Sequence, residues 1–510
     1  MRLTILTLIL AALIYDVCAA ATLYMGSGET YTNLQAALSA MEAGDTLIIR
    51  DGTYTGPSNA LTTSNPSPTS STLWTTIKAE NPGSVIFDGE AARRLIHIEP
   101  GSSLNLHWVF DGIVFQNASD SCIILARINY VKFLRCGFVG LSSSSDAFYT
   151  HTCNYILVED CYSYGSARYH FHYYNTDNSI MRRCVVRHDR GSAIYQVGFQ
   201  VYDSEDVEVQ NCIVIDSDQG THYNDAEQLY AFKVPQVSGG NIYFRGCIAL
   251  NNQMGLFGQQ ASTAELINVV GWDIDNATLG NGIYSRSTTT LSHLTLGNIS
   301  LAGVYGDPTS ESIANSIIYG AGTGLQRTGG TMTSDYNALY GNTTDYSGVA
   351  NGDHDLCAAN SNAVDPIWHT STNPSGALKY LVRIEDSSPL DGAASDSEDI
   401  GATILKKIGT SGTLYGETGY NTTTDDDLWP FPNETLIKTK MAAYTYDDGS
   451  GGDPEITGAR GFCAAGKQLN GTDDITLTSY IWEYLGNEIP AEIYGTSTVT
   501  HSAGGTANWR

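Results

Sequence analysis

Five cysteines recur in one context along the chain: LRCGF at Cys136, EDCYS at Cys161, RRCVV at Cys184, QNCIV at Cys212 and RGCIA at Cys247. The intervals are 25, 23, 28 and 35 residues. The runs leading into them, such as NYVKFLRC, NYILVEDC, DVEVQNC and NIYFRGC, alternate like strands and lack a helical period. A repeat of that length built from strand-like sequence predicts a solenoid. One coil of a right-handed parallel β-helix takes about this many residues for three short strands and their turns, at roughly 3.3 Å per residue. Equivalent residues of neighbouring coils then stack about 4.8 Å apart, so the cysteines form an interior ladder. That spacing is wider than the roughly 3.8 Å between Cβ atoms that a disulfide prefers, and stacked free thiols are expected. The predicted fold is all-β: a right-handed parallel β-helix over residues 21–400, with an N-terminal helical cap and a C-terminal cap or appended module over 401–510.

The cap is readable in ETYTNLQAALSAMEAGDTLIIR. Thr32 and Gln35 have capping-box spacing, and Leu34, Ala37, Leu38 and Met41 share one helical face. Such a helix would plug the open end of the solenoid. After residue 400 the texture changes to loops and a short aromatic helix. There Trp429, Phe431, Tyr480, Trp482 and Tyr484 are expected to pack on the helix end or to offer sugar-stacking rings.

The phrases GDTLIIRDGTY, TIKAENPGSVIFDG and FDGIVFQN resemble the opening coils of pectin-lyase-like right-handed β-helix proteins. They are also similar to the N-terminal part of the chondroitinase B and alginate lyase group. The resemblance spans roughly residues 22–320 and lies in scaffold phrases. The paired Lys and Arg motifs of that lyase group are not located in this chain, so the resemblance implies a fold and assigns no catalytic residue.

Composition narrows the partners. Acidic residues outnumber basic ones 54 to 26, for a formal charge of −28, which disfavours nucleic acid and anionic membranes. The N-terminus, MRLTILTLILAALIYDVCAAA, reads as a signal peptide over residues 1–20 and predicts a secreted or cell-surface protein. Its apolar run is too short for a membrane span.

Aligning the coils on their cysteines brings a second set of strands into register: AFYTH, HFHYY, GFQVY, AFKVP, GLFGQ and GIYSR. Phe148, Phe171, Phe199, Phe232, Leu256 and Ile283 form an apolar column that must point inward. Period-two alternation sends Tyr149, His172, Gln200, Lys233, Phe257 and Tyr284 outward. A second outward column reads His151, Tyr174, Tyr202, Pro235, Gln259 and Arg286, with His170 on the same face. Rings with polar heads and a few cations, free of carboxylates, suit an extended sugar chain. The plainer alternative is an exposed strand surface, where such residues are favoured anyway.

The resulting expectation is a carbohydrate-active protein that binds, and cleaves in the manner of a lyase, an extracellular polysaccharide. The alternatives are a non-catalytic surface or adhesive protein, and a glycoside hydrolase that would draw on Asp203, Asp216, Asp218 or Asp225. β-Elimination needs a base for the C5 proton, a proton for the leaving oxygen and neutralisation of the uronate carboxylate. Lys233, the lone lysine of the face, is the candidate base. His172 or Tyr202 would supply the proton, and Arg187 or calcium would hold the carboxylate. His188, in the basic stretch RHDRG, joins the substrate-binding set. Calcium is expected in the long loop DSDQGTHYNDAEQ, on Asp216, Asp218, Asp225 and Glu227, because hard oxygen ligands suit it.

Overall fold

A computed structural model describes residues 20–484, apart from 64–71, 143–144, 190–195, 218–228, 236–239, 253–257, 260–262, 275–279, 287, 308–309, 367–381, 383, 385–388, 447–455 and 467–473. Its strands stack in parallel into a continuous β-helix with three faces. Sheet 1 carries the strand before each ladder cysteine, beginning with Thr22–Met25, Thr46–Ile49 and Thr75–Ala79. Sheet 2 carries the strand after it, from Gly52–Tyr54 to Ala338–Tyr340. Sheet 3 runs from Leu61–Thr62 through Ile123–Ala126, Tyr169–Asp177 and Gln196–Tyr202 to Thr344–Ser347. Among the described residues no helix is long and apolar enough to cross a membrane.

The cysteine ladder occupies the corner between sheets 1 and 2. All five thiols are free and fully buried. The residue before each of them, Arg135, Asp160, Arg183, Asn211 or Gly246, turns the corner in the left-handed region. Each thiol then faces carbonyls at the bend: Cys161 those of Phe133 and Glu159 at 3.4 and 3.3 Å, Cys184 those of Val158 and Arg182 at 3.4 and 3.3 Å. A small apolar residue with a weak donor fits that corner. The inward phenylalanines follow the expected register, Phe148 on Phe171 on Phe199 on Phe232, with ring centroids 6.0, 5.1 and 5.2 Å apart.

The N-terminal helix, Leu34–Ala40, lays Leu34, Ala37 and Leu38 on the first coils of the core. Its cap differs from the expected box. Asn33 is the N-cap and accepts from the Ala36 amide, while Gln35 donates to the carbonyls of Pro57 and Ala60. The side chain one residue nearer the helix reaches its free amides, and Thr32 is left out.

Of the two forms expected for the C-terminal region, an end cap or an appended module, its described part packs as the second. It lies along the flank of the solenoid, not on its end. Tyr162, Val185, Ile213, Ile248 and Val270 project outward from sheet 2 and pack with Leu428, Trp429, Phe431, Ile437, Met441, Phe462, Leu477, Tyr480 and Trp482 in a second hydrophobic core. Trp429, Phe431, Tyr480 and Trp482, expected on the helix end or as a sugar platform, are therefore interior, and Trp429 donates its indole N–H to the Ile404 carbonyl, while the side chain of Tyr484 lies outside the described residues. The same region folds over the corner onto sheet 1. There the buried Arg182 meets Glu159, Gln210 and the carbonyls of Thr410 and Tyr420.

Candidate functional site

With sheet 2 and part of sheet 1 covered, the outer face of sheet 3 is the surface to examine. Its register confirms the outward column Tyr149–His172–Gln200–Lys233. Between these residues the core members Phe171, Tyr173, Phe199, Val201, Phe232 and Val234 point inward, as period two requires. A second stack of rings, His151–Tyr174–Tyr202, runs beside the column with centroids 4.8 and 5.2 Å apart.

The face holds a carboxylate after all. Asp146, in the turn before the Phe148 strand, is buried and lies 2.8 Å from His172 Nδ1. Arg168 from the next coil grips both of its oxygens, at 2.8 and 3.1 Å, and lies over the Tyr169 ring. On the far side of the imidazole, Gln200 Nε2 sits 3.4 Å from His172 Nε2. A carboxylate on Nδ1 and an amide donor on Nε2 fit one tautomer, with the proton on Nδ1 and a lone pair on Nε2. Tyr149 and Tyr169 flank the ring at 5.0 and 4.7 Å.

The electrostatics bear on the carboxylate. Burial pushes the Asp146 carboxyl up, but His172 and Arg168 outweigh it and hold the group below its ordinary value. Asp146 is therefore an anion that orients the imidazole. Burial, reinforced by the Asp146 charge, raises the Tyr149 phenol to about 12, so it keeps its proton at neutral pH. Lys233 lies one coil beyond Gln200, buried, with its ammonium 5.2 Å from the Tyr230 ring centroid. Tyr202 stacks with Tyr174 in the neighbouring column.

Several expected members are elsewhere. Arg187 points outward from sheet 2 and is sealed beneath the C-terminal region, donating to the carbonyls of Gly458 and Met441 and pairing with Asp189. It cannot hold a ligand on sheet 3. His170 turns into the interior, 2.7 Å from Ser163 Oγ, with its ring 4.6 Å from that of His188, and both are fully buried. Neither is a surface residue. Asp216 is also buried, its carboxylate accepting from Asn251, the Phe462 amide and the Tyr480 hydroxyl at 2.8, 2.8 and 2.7 Å. Its oxygens clamp the C-terminal region and are not free for calcium. Asp218, Asp225, Glu227 and Phe257 lie outside the described residues. Among the described residues no cluster of three or more His, Cys, Asp or Glu could hold a metal.

Past Lys233 the alignment slips by one. Gly258, not Phe257, faces Lys233, and Gln259 pairs with Val234 instead of Pro235. Tyr284 follows Gly258 in the column, and Arg286 pairs with Asp307 at 3.6 Å. The missed Asp146 had one legible signal. An acid two residues before Phe148 and an arginine three before Phe171 are neighbours once the coils are stacked.

A family model agrees with the β-helix architecture. The family model described as the right handed beta helix region matches residues 94–281. No curated protein matches the sequence. Among solved structures, pectate lyase Pel9A is 14% identical, with 75% of this chain and 95% of that chain covered and a TM-score of 0.40. The A-module of an Azotobacter vinelandii mannuronan C-5 epimerase is 12% identical, with 63% and 93% covered and a TM-score of 0.42. An alginate lyase from Paenibacillus sp. is 12% identical, with 66% and 99% covered and a TM-score of 0.34. The fold is a right-handed parallel β-helix.

Proposed function

We propose that this protein binds a uronate-containing polysaccharide along the outer face of sheet 3 and cleaves it by β-elimination. The observation that carries the reading is the Asp146–His172–Gln200 arrangement, a buried imidazole oriented by an anion with its lone pair on Nε2. His172 Nε2 takes the C5 proton of the sugar, and the C–H electrons form the C4–C5 double bond. The C4–O bond breaks, and the leaving oxygen takes a proton from the Tyr149 hydroxyl, a donor that remains protonated at neutral pH. Arg168 neutralises the substrate carboxylate. Its Nε and NH2 are committed to Asp146 and its side chain is 39% exposed, which leaves NH1 for the ligand.

This assignment moves the base from Lys233 to His172. Lys233 becomes a second cation beside the reacting sugar. Hydrolysis is less favoured by the described carboxylates. Asp146 is held as an anion between two cationic or imidazole partners, and Asp216 lies under the C-terminal region, so neither supplies the acid–base pair that glycoside hydrolysis uses. The N-terminal residues 1–20, read from sequence as a signal peptide, are the basis for expecting action outside the cell.

The test is incubation with polygalacturonate, polymannuronate and polyguluronate, following the ultraviolet absorbance of the unsaturated product. His172→Gln should lower turnover by roughly two to four orders of magnitude. A normally folded His172→Gln protein with full activity would remove the imidazole from the mechanism. Release of reducing ends without new absorbance would turn the reading to hydrolysis.

A further inference from the structure

The outward column does not stop at Lys233. Gly258, Tyr284, Tyr305 and Gln326 follow it, one per coil. Tyr284 and Tyr305 stack with centroids 5.3 Å apart and planes 16° from parallel. The Arg286 guanidinium lies 5.5 Å from the Tyr284 ring centroid and 3.6 Å from Asp307. The Tyr305 hydroxyl meets Thr328 at 3.3 Å. Two groups of ring-bearing side chains thus rise from one column, with Gln200, Lys233 and Gly258 between them, and at Gly258 the column itself carries no side chain.

We infer that the Tyr284–Tyr305 pair is a second sugar-binding anchor, and that the protein recognises chains long enough to reach it from His172. The inference rests on the proposed polysaccharide site. Tyr284 is four coils from His172, about 19 Å at the usual strand spacing. A 1→4-linked pyranose chain advances by nearly the same distance per residue as a β-helix does per coil. A chain laid along the column therefore needs about five rings to touch both anchors. At Gly258 the column itself has no side chain for the sugar chain to clear.

The chemistry of the second anchor differs from that of the first. Tyrosine rings present apolar edges and faces to sugar C–H groups, and their hydroxyls bond sugar hydroxyls. Arg286 is matched by Asp307, so this anchor reads ring shape and hydroxyls, with little net charge. Its contribution should persist in high salt, unlike that of exposed charge contacts.

The experiment is calorimetric titration of His172→Gln protein with oligogalacturonides and oligomannuronates graded from dimer to octamer. Affinity should step up about tenfold once the chain reaches about five residues. Adding Tyr284→Ala should abolish the step, leave the short oligomers unchanged and do so equally at low and high salt. A step that survives Tyr284→Ala, or affinity independent of length, would overturn the second anchor. Turnover of the polymers by the wild-type protein separates the two readings. Cleavage with no length step defeats only the anchor, whereas neither cleavage nor binding defeats the polysaccharide site and the anchor with it.

Discussion

Sheets 2 and 3 are built from the same coils with the same period, yet their outward columns differ in chemistry, apolar on sheet 2 and polar on sheet 3, where His172, Gln200 and Lys233 are nonetheless buried. The outward column of sheet 2 reads Tyr162, Val185, Ile213, Ile248 and Val270 and is buried under the C-terminal region. The outward column of sheet 3 reads Tyr149, His172, Gln200 and Lys233, with Asp146 and Arg168 at its margin. Burying each β-branched side chain of sheet 2 contributes on the order of 1.5–3 kcal/mol, which is lost if the cover is removed. The side chains of sheet 3 gain little from an apolar cover and would lose hydrogen bonds. The outward column thus marks which face takes an apolar cover and which keeps polar side chains in hydrogen bonds.

Two aspartates make the sharpest way to break that contrast. Asp146 and Asp216 are both buried and each accepts from several donors. Asp146 serves the imidazole on sheet 3. Asp146→Asn should lower kcat by roughly two to four orders of magnitude with KM little changed, and Asp146→Glu should recover part of the loss. A fall in thermal stability without a kinetic effect would make Asp146 a structural residue. Asp216 serves the C-terminal region. Asp216→Asn should cost about 3 kcal/mol in denaturant unfolding, because the donors from Asn251, Phe462 and Tyr480 lose a charged acceptor. Activity per folded molecule should be retained. Lost calcium binding with unchanged stability would restore Asp216 to the metal role.

What could be read from the sequence follows from where its repeat has an anchor. The cysteines fix the coil length from 136 to 247, and within those limits the inward phenylalanines and the column from Tyr149 to Lys233 come out in true register. Past Cys247 no further ladder cysteine pins the coil, and the alignment slipped one residue onto Phe257. Asp146 escaped because it lies in a turn, where period two carries no information. His170 escaped because it too sits where the chain leaves a turn, and its ring swings inward to Ser163. The burial of Arg187 and Asp216 depends on segments more than 240 residues away in the chain, and no local pattern reports that. One hint was present. A sheet 2 column of Val, Ile and Tyr facing outward has no reason to meet water.

The interior histidines give a pH prediction that sharpens the comparison from inside. His188 sits wholly buried at the end of a sheet 2 strand, with His170 against its ring and the Asp189–Arg460 pair beside it. Burial lowers its pKa from 6.5 to about 3, against the opposing pull of Asp189. The unfolded chain therefore takes up a proton as pH falls through 6.5, while the folded protein declines it until about 3. Stability is fully present above the unfolded value and drains away between those limits. His188→Leu should reduce the pH slope of unfolding in that window by up to about one proton. Equal slopes in wild type and His188→Leu would mean that the His188 imidazole is hydrated in the folded protein.

The smallest expected effect concerns the cysteines, where the corner between the two covered sheets is tested against oxidation. Export, the expectation from the N-terminal sequence, would place the protein where exposed thiols pair. Here each ladder thiol is fully buried, faces carbonyls of its own and the preceding coil, and is held one coil from its neighbour. In-register strands keep neighbouring Cβ atoms about 4.8 Å apart, and closing a disulfide between them would draw the backbone out of its ladder. Melting temperatures with and without reductant should therefore agree within error, and alkylation should be seen only after denaturation. A melting point several degrees lower in reductant would show that a pair such as Cys161 and Cys184 is bridged and that the corner is more strained than its hydrogen bonds indicate.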